Sequence, residues 1–126
     1  MTKTEFYTAV KAEIIRANTD IKKVYRFSGQ LGDPEQEKPL SYPCVLIEFE
    51  PIEYQSTTSG QRGRGNVVFH VASKTIDPES LADLDLSDSF HKSINRKFGL
   101  VRTSEDSENH GPITDWTIQY NTNVFE

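Results

Sequence analysis

The chain has 126 residues, which is the length of one domain with one hydrophobic core. Its 14 basic and 19 acidic residues give a net charge of −5, which argues against a dedicated nucleic-acid binder, because phosphate contacts need a basic surface. Hydrophobic residues make up 35% of the chain, which is low for a globular domain, so we expect a lean core and much of the chain in loops or against a partner.

No targeting or membrane signal is visible in the sequence. The N-terminal stretch MTKTEFYTAV lacks the basic and apolar regions of a signal peptide, and no apolar run approaches the length of a membrane span. We therefore expect a protein that folds in the cytoplasm and does not enter a membrane.

The first elements are predicted to be a helix and a short strand. Thr2 and Glu5 have the spacing of a capping box, and apolar residues then recur at helical spacing, so a helix is predicted over 3–18. The sequence IKKVYRF, at 21–27, is rich in β-branched and aromatic residues and predicts a strand. Residues 28–43 contain Gly and Pro residues that interrupt both kinds of element, and they predict a long loop.

Two strands separated by a Gly-rich segment follow. The sequence CVLIEFE at 44–50 predicts a strand, which could continue beyond Pro51 if that residue marks a bulge or an edge position. Residues 56–65, STTSGQRGRG, predict a flexible loop. The sequence VVFHVAS at 67–73 predicts the next strand, with alternate side chains on opposite faces.

The second half begins with a predicted turn at Asp77-Pro78. Apolar residues at intervals of four, followed by Gly99, predict a helix over 80–98. The sequence LVRT predicts a short strand, and residues 103–112 predict a polar loop.

The last segment has the clearest alternation in the chain and predicts a strand. We expect one face to pack on the helices and the other to be exposed. The first set is Trp116, Ile118, Tyr120 and Val124, and the second is Thr117, Gln119, Asn121 and Asn123. The whole order predicts a single α+β domain over 1–126, with a small, mostly antiparallel sheet of four to five strands, two helices packed on one face, and long loops.

The histidines and the cysteine do not form a recognisable catalytic or metal motif. His70, His91 and His110 fall on a predicted strand, helix and loop, and none has the spacing of a metal-binding pair, so we expect three separate, partly exposed histidines and no metal site. Cys44 lies in an apolar strand, where burial would disfavour the thiolate, and is expected to be a structural thiol.

Two acidic residues on one strand are a possible general acid–base pair. Glu48 and Glu50 share a face because they lie two residues apart, and paired carboxylates can divide acid and base roles if their pKa values differ. We favour solvent-facing acids on an edge strand, or salt bridges across a subunit boundary. No catalytic residue and no cofactor is therefore predicted.

The Gly-rich segment also carries Arg62 and Arg64. It lacks the G-x-x-x-x-G-K-[ST] pattern of a phosphate loop and precedes a strand instead of a helix, so nucleotide binding is not expected. The two arginines suit contact with an acidic protein surface or with a DNA backbone, and the alternative is a solvated hairpin tip. We take Arg62, Arg64, Glu48 and Glu50 as candidate protein-interaction residues.

The sequence resembles a known family. The order helix, strand, YPCVLIEFEPIEY, Gly-rich segment, GNVVFHVAS, helix and TDWTIQYNTNVFE is similar to the small tail-terminator or tail-completion proteins of long-tailed bacteriophages and prophages. The resemblance covers nearly the whole chain and is sharpest at LIEFEPIEY and VVFHVAS. It is a resemblance of pattern, without an invariant catalytic motif.

The resemblance implies a non-enzymatic α+β subunit that closes into a ring with copies of itself, commonly six. Such a ring caps the tail tube, offers a docking surface to head–tail connector proteins, and touches DNA at most transiently. It would belong to the virion tail and be assembled in the cytoplasm of the bacterial host. Three alternatives stay open at this stage: a head–tail connector or neck subunit, a protein-binding module unrelated to phages, and a small hydrolase that uses Glu48 or Glu50.

Overall fold

A computed structural model describes residues 1–32, 40–74, 77 and 79–126. The described part contains two α-helices, five strands and one short 3-10 turn. They are α1 Lys3–Ala17, β1 Lys23–Arg26, the 3-10 turn Gln30–Gly32, β2 Cys44–Thr57, β3 Gly60–Lys74, α2 Ala82–Phe98, β4 Val101–His110 and β5 Ile113–Phe125.

The five strands form one open sheet in the order β1-β2-β3-β5-β4. The β1–β2 pair is parallel and the other three pairs are antiparallel. Both helices pack on one face of this sheet, where buried side chains such as Phe6, Phe69 and Phe90 form the main core. The predicted α+β class, with its mostly antiparallel sheet, is therefore confirmed.

The start of α1 and the end of α2 follow from local sequence. Thr2 Oγ1 accepts a hydrogen bond from the backbone N–H of Glu5 at 3.1 Å, and the Glu5 carboxylate accepts one from the Thr2 N–H at 3.1 Å. This is the predicted capping box, and it satisfies two N–H groups that the helix itself cannot pair. α2 ends at Phe98 and is capped by Gly99, whose φ of 64° is left-handed and therefore favours glycine.

β2 continues past Pro51, as one of the two sequence alternatives allowed. The pairing with β3 shifts register between Phe49, which lies opposite Val67, and Ile52, which lies opposite Gly65. Pro51 sits in that irregularity, where its missing N–H removes no ladder hydrogen bond.

Two of the three predicted long loops are wrong. Residues 56–65 are the tip of a hairpin, because β2 runs to Thr57 and β3 begins at Gly60. Residues 103–112 belong mainly to β4, which is hydrogen-bonded to β5 along its length. Strand formation depends strongly on cross-strand partners, so Ser-, Gly- and Glu-rich segments with low intrinsic preference still pair. Part of the third loop, residues 33–39, and Pro78 of the predicted turn lie outside the described residues.

β5 follows the predicted alternation over most of its length. Ile118 and Tyr120 are fully buried against the helices, whereas Asn121 and Asn123 are exposed. Val124 was predicted to be in the core but is 39% exposed. A register irregularity opposite Gly63 and Gly65 changes the facing at this end of β5, and Phe125 is buried instead.

The opposite face of the sheet is partly covered as well. Leu31, Cys44, Leu46 and Ala72 are buried there, with several half-buried aromatic side chains packed around them. We call this side the helix-free face. On the same face Thr117 and Gln119 are half-buried, where the sequence predicted exposure, and the Gln119 side chain contacts Ser104 and Glu50.

Replacing Ile118 by Ala removes a fully buried side chain from the main core and should lower the free energy of unfolding by about 2–5 kcal/mol. Asn123→Ala is the matched control on the same strand, because Asn123 is exposed, and its effect should stay within about 0.5 kcal/mol. Urea denaturation of the two variants measures both values. Equal losses would contradict the assignment of the two faces of β5.

Candidate functional site

A cluster of three ionisable side chains lies on the helix-free face. His70 Nδ1 is 2.9 Å from Asp115 Oδ2, and His70 Nε2 is 2.8 Å from Glu48 Oε2. His70 and Asp115 are 7% and 2% exposed, and Glu48 is half-buried. One imidazole therefore bridges two carboxylates, one buried and one that reaches solvent.

The register of three adjacent strands brings these residues together. His70 lies in β3 opposite Leu46 of β2 and Thr117 of β5. Glu48 and Asp115 each lie two residues from those partners, so both occupy diagonal positions on the same face as the imidazole. The three residues are far apart in sequence, and only the sheet makes them neighbours.

An aromatic ring covers the cluster. Phe27, just after β1, stacks on the His70 imidazole with 4.0 Å between ring centroids and 9° between ring planes. Its backbone N–H donates to the carbonyl of Ile47 at 2.9 Å, which fixes the chain at this point. The ring excludes water from one side of the imidazole and strengthens the hydrogen bonds beneath it.

The two carboxylates determine the charge of the imidazole. Burial alone would lower the pKa of His70, but the hydrogen bonds to Asp115 and Glu48 and the charges of both carboxylates outweigh it, so that the pKa of His70 is raised. Asp115 Oδ1 is buried and has no hydrogen-bond partner among the described residues. The imidazole of His70, which lies against Oδ2, therefore offsets part of the cost of burying the Asp115 carboxylate.

This geometry suits a structural role better than a catalytic one. Both ring nitrogens of His70 are engaged, so neither is available to a substrate or a metal ion without breaking a contact. Within the described part of the chain, no group of three His, Cys, Asp or Glu side chains could hold a metal ion. Burial, with the charge of Asp115, raises the pKa of the nearby Cys44 thiol to about 12, and Cys44 is buried, as predicted.

The prediction of three partly exposed histidines is wrong for His70, which is buried. His91 and His110 are half-buried. His91 Nδ1 lies 2.8 Å from the Tyr120 hydroxyl, and His110, predicted in a loop, ends β4 with its Nε2 3.8 Å from Glu108.

Glu48 and Glu50 share a face, as predicted. β2 lies between β1 and β3, but β1 pairs only with residues 44–47, so among the described strands β3 alone lies beside β2 at the two glutamates. Glu48 contacts His70, and Glu50 Oε1 accepts a hydrogen bond from Gln119 Nε2 at 3.4 Å. A cleft of about 910 Å³ lies near the end of α1 and the start of α2, and neither glutamate lines it.

Arg62 and Arg64 lie on a projecting hairpin instead of a flexible loop. We call residues 53–64 the arm. Its residues are exposed except Gly63, which lies under the Tyr54 ring: a Cβ at position 63 would be 2.6 Å from Tyr54 Cε1. Within the described residues, neither arginine forms an ion pair.

Sequence reasoning missed Asp115 and the role of His70. Asp115 begins the alternating part of β5 on its polar face, which marks it as solvent-facing by pattern. The only available signal was that His70 stands between the apolar residues Val68 and Ala72 on one face of a strand rich in Val and Phe. Pairing the three residues required the register of β2, β3 and β5.

Comparison with known proteins gives little further identification. No family model matches the chain, and no curated protein matches it. Among solved structures, the chain aligns with part of one described as "Virion of native gene transfer agent (GTA) particle", with 10% identity and a TM-score of 0.46. The alignment covers 92% of this chain and 84% of that chain. A similarity at this level identifies neither a shared family nor a shared function.

The sequence predicted no membrane-spanning segment. In the ranges given above, neither helix is long and apolar enough to span a membrane.

The Glu48–His70–Asp115 cluster should make stability depend on pH. The folded pKa of His70 is raised above its ordinary value of 6.5, so the folded state holds the proton more tightly than the unfolded state. The resulting stabilisation is complete below pH 6.5 and is lost as the pH rises through the folded pKa. Replacing His70 by Gln removes it, so the difference in thermal midpoint between wild type and H70Q should shrink as the pH rises from 6 to 9.

The matched control is His91→Gln. Burial and the Arg102 charge lower the pKa of His91, so its contribution changes in the opposite sense and the difference between wild type and H91Q should shift the other way with pH. A difference for H70Q that stays constant over this range would contradict the charged bridge.

Proposed function

We propose that the protein is a structural subunit of a phage or prophage tail that assembles with copies of itself, and not an enzyme. The observation that carries the proposal is the arm, a hydrogen-bonded hairpin that extends beyond the core. Ten consecutive residues of it, 53–62, are exposed. It holds a defined conformation while burying almost nothing within its own subunit.

In an isolated subunit, few contacts would stabilise the ordered conformation of the arm. Fixing its backbone costs conformational entropy, and a two-stranded hairpin is marginally stable in water by itself. Contact with another protein would offset that cost by burying the arm. Tyr54, 42% exposed at its base, offers the kind of aromatic side chain that is enriched in protein interfaces.

The specific role we propose is that of a tail terminator or tail-completion subunit. The support is the sequence resemblance over nearly the whole chain, together with an α+β sheet that has helices on one face. In this role the subunit forms a ring, of about six copies by analogy with the family, that caps the tail tube and docks head–tail connector proteins. Its place would be the virion tail, with assembly in the bacterial cytoplasm and at most transient DNA contact.

A head–tail connector or neck subunit is the second candidate, because the exposed arm fits that assembly equally well. The position of the gene distinguishes the two: a terminator is expected beside tail-tube and tape-measure genes. A hydrolase that uses Glu48 is disfavoured, because its carboxylate faces an imidazole whose nitrogens are both engaged and which Phe27 covers.

Replacing Arg62 and Arg64 together by Ala tests the role of the arm. Both side chains are exposed and have no ion pair among the described residues. The free energy of unfolding of the subunit, measured by thermal denaturation, should therefore change by no more than about 0.5 kcal/mol. Ring formation, measured by sedimentation velocity, and attachment to tails, measured in a tail-completion assay, should both weaken.

The matched control is Lys11→Ala with Lys92→Ala, which removes the same charge from exposed positions on the two helices. This control should assemble like the wild type. If the arginine variant also assembled normally, with unchanged salt dependence, the arm would be an inert hairpin tip.

A further inference from the structure

The outer strand β4 carries acidic side chains on both faces of the sheet. Nine of its ten residues are exposed, and among the described strands β5 alone lies beside it. Register separates the acids, because Glu105 lies opposite Ile118 on the helix side. Asp106 and Glu108 lie opposite Thr117 and Asp115, on the helix-free face.

The acid on the helix side is already compensated within the subunit. Glu105 Oε2 is 3.1 Å from Arg102 Nη1, and Glu105 Oε1 accepts a hydrogen bond from the Ser87 hydroxyl at 2.9 Å. Asp106 accepts a bond only from the neighbouring Ser107 N–H among the contacts described, and Glu108 lies 3.8 Å from His110. The helix-free face of β4 therefore keeps two carboxylates that no lysine or arginine of the described residues neutralises.

The arm carries the opposite charge on the same face. Alternation along β3 puts Arg62 and Arg64 on the side of Val68 and His70, which is the helix-free face. Glu53 lies opposite Arg64 in the arm but is not within ion-pair distance of it. Both guanidinium groups are available to a partner.

The two charged pairs have matching spacing. Arg62 and Arg64 are two residues apart on one strand face, as are Asp106 and Glu108, so both pairs are separated by about 6.6 Å along extended backbone. Because arm and strand present these pairs on the same side of the sheet, one face-on or edge-on contact could bring both arginines to both carboxylates.

We propose that the helix-free side of β4 is the docking surface for the arm of a second copy of this chain. In this contact Arg62 and Arg64 of one subunit pair with Asp106 and Glu108 of the partner subunit. The inference rests on the proposed assembly function and adds to it which two surfaces meet.

The charges also restrict which surfaces can meet. Two β4 edges brought together about a two-fold axis would set acidic residues against acidic residues, which is destabilising. An arm on a neighbour's β4 uses two different surfaces of each subunit, and a one-way repetition of this contact gives a closed ring or an open filament. The like charges of β4 therefore oppose a two-fold contact of β4 with itself.

Charge reversal provides the test. Asp106→Lys with Glu108→Lys, and separately Arg62→Glu with Arg64→Glu, should each abolish the oligomer in sedimentation velocity at low salt. Both acidic and basic positions are exposed, so each variant should keep the circular dichroism spectrum of the wild type. The chain that carries all four substitutions should recover assembly, because the charges are then exchanged across the same contact.

A matched control reverses charge elsewhere: Lys11→Glu with Lys92→Glu should assemble like the wild type. Failure of the fourfold variant to assemble while it remains folded, or normal assembly of the Asp106 and Glu108 variant, would overturn the docking surface and leave the assembly function standing. A wild-type chain that stays monomeric at all concentrations, and whose absence leaves tails complete, would overturn both proposals.

Discussion

The structure depends on β3 and its hydrogen bonds to two neighbours. This strand pairs with β2 on one side and β5 on the other, and its residues from Val67 to Ser73 are buried on both faces. The helix side of β3 contributes Phe69 to the aromatic core, and the other side contributes His70 to the polar cluster. The first residues of the same strand, from Gly60 to Arg64, belong to the arm. A slip of one residue in either pairing would exchange the two faces, so register controls the core, the cluster and the arm together.

The helix-free face explains how a chain with few apolar residues buries both sides of its central strands. On one part of that face Leu31, Leu46 and Ala72 form a small apolar cluster. Beside it lie the hydrogen-bonded side chains of Glu48, His70 and Asp115, which are ionisable groups. A buried ionic group costs desolvation energy that its partners must offset, and an apolar replacement of the same shape is often no less stable. In the observed register His70 lies beside Asp115, and a slip of one residue would move the Asp115 carboxylate to the other face of the sheet.

On the exposed elements, charged side chains affect how the subunit contacts other chains. β4 and the arm are strands with open edges, and open edges invite pairing with other chains. Asp106 and Glu108 on one, and Arg62 and Arg64 on the other, prevent either from pairing with its own kind. The same charges attract the two elements to each other, so a single arrangement can oppose aggregation and support a specific contact.

The sequence by itself determined the local elements and their order. The capping box at Thr2, the glycine at position 99 and the regular spacing of apolar residues define both helices, because these signals act within a few residues. The alternation of Ile118 and Tyr120 likewise identified the core face of β5. The tertiary structure decided which polar segments are strands and which charged residues are neighbours. Residues 56–65 and 103–112 have little intrinsic preference for strand and pair only because a partner strand lies beside them. His70 and Asp115 are 45 residues apart in sequence and meet only through register, which is a property of the whole sheet.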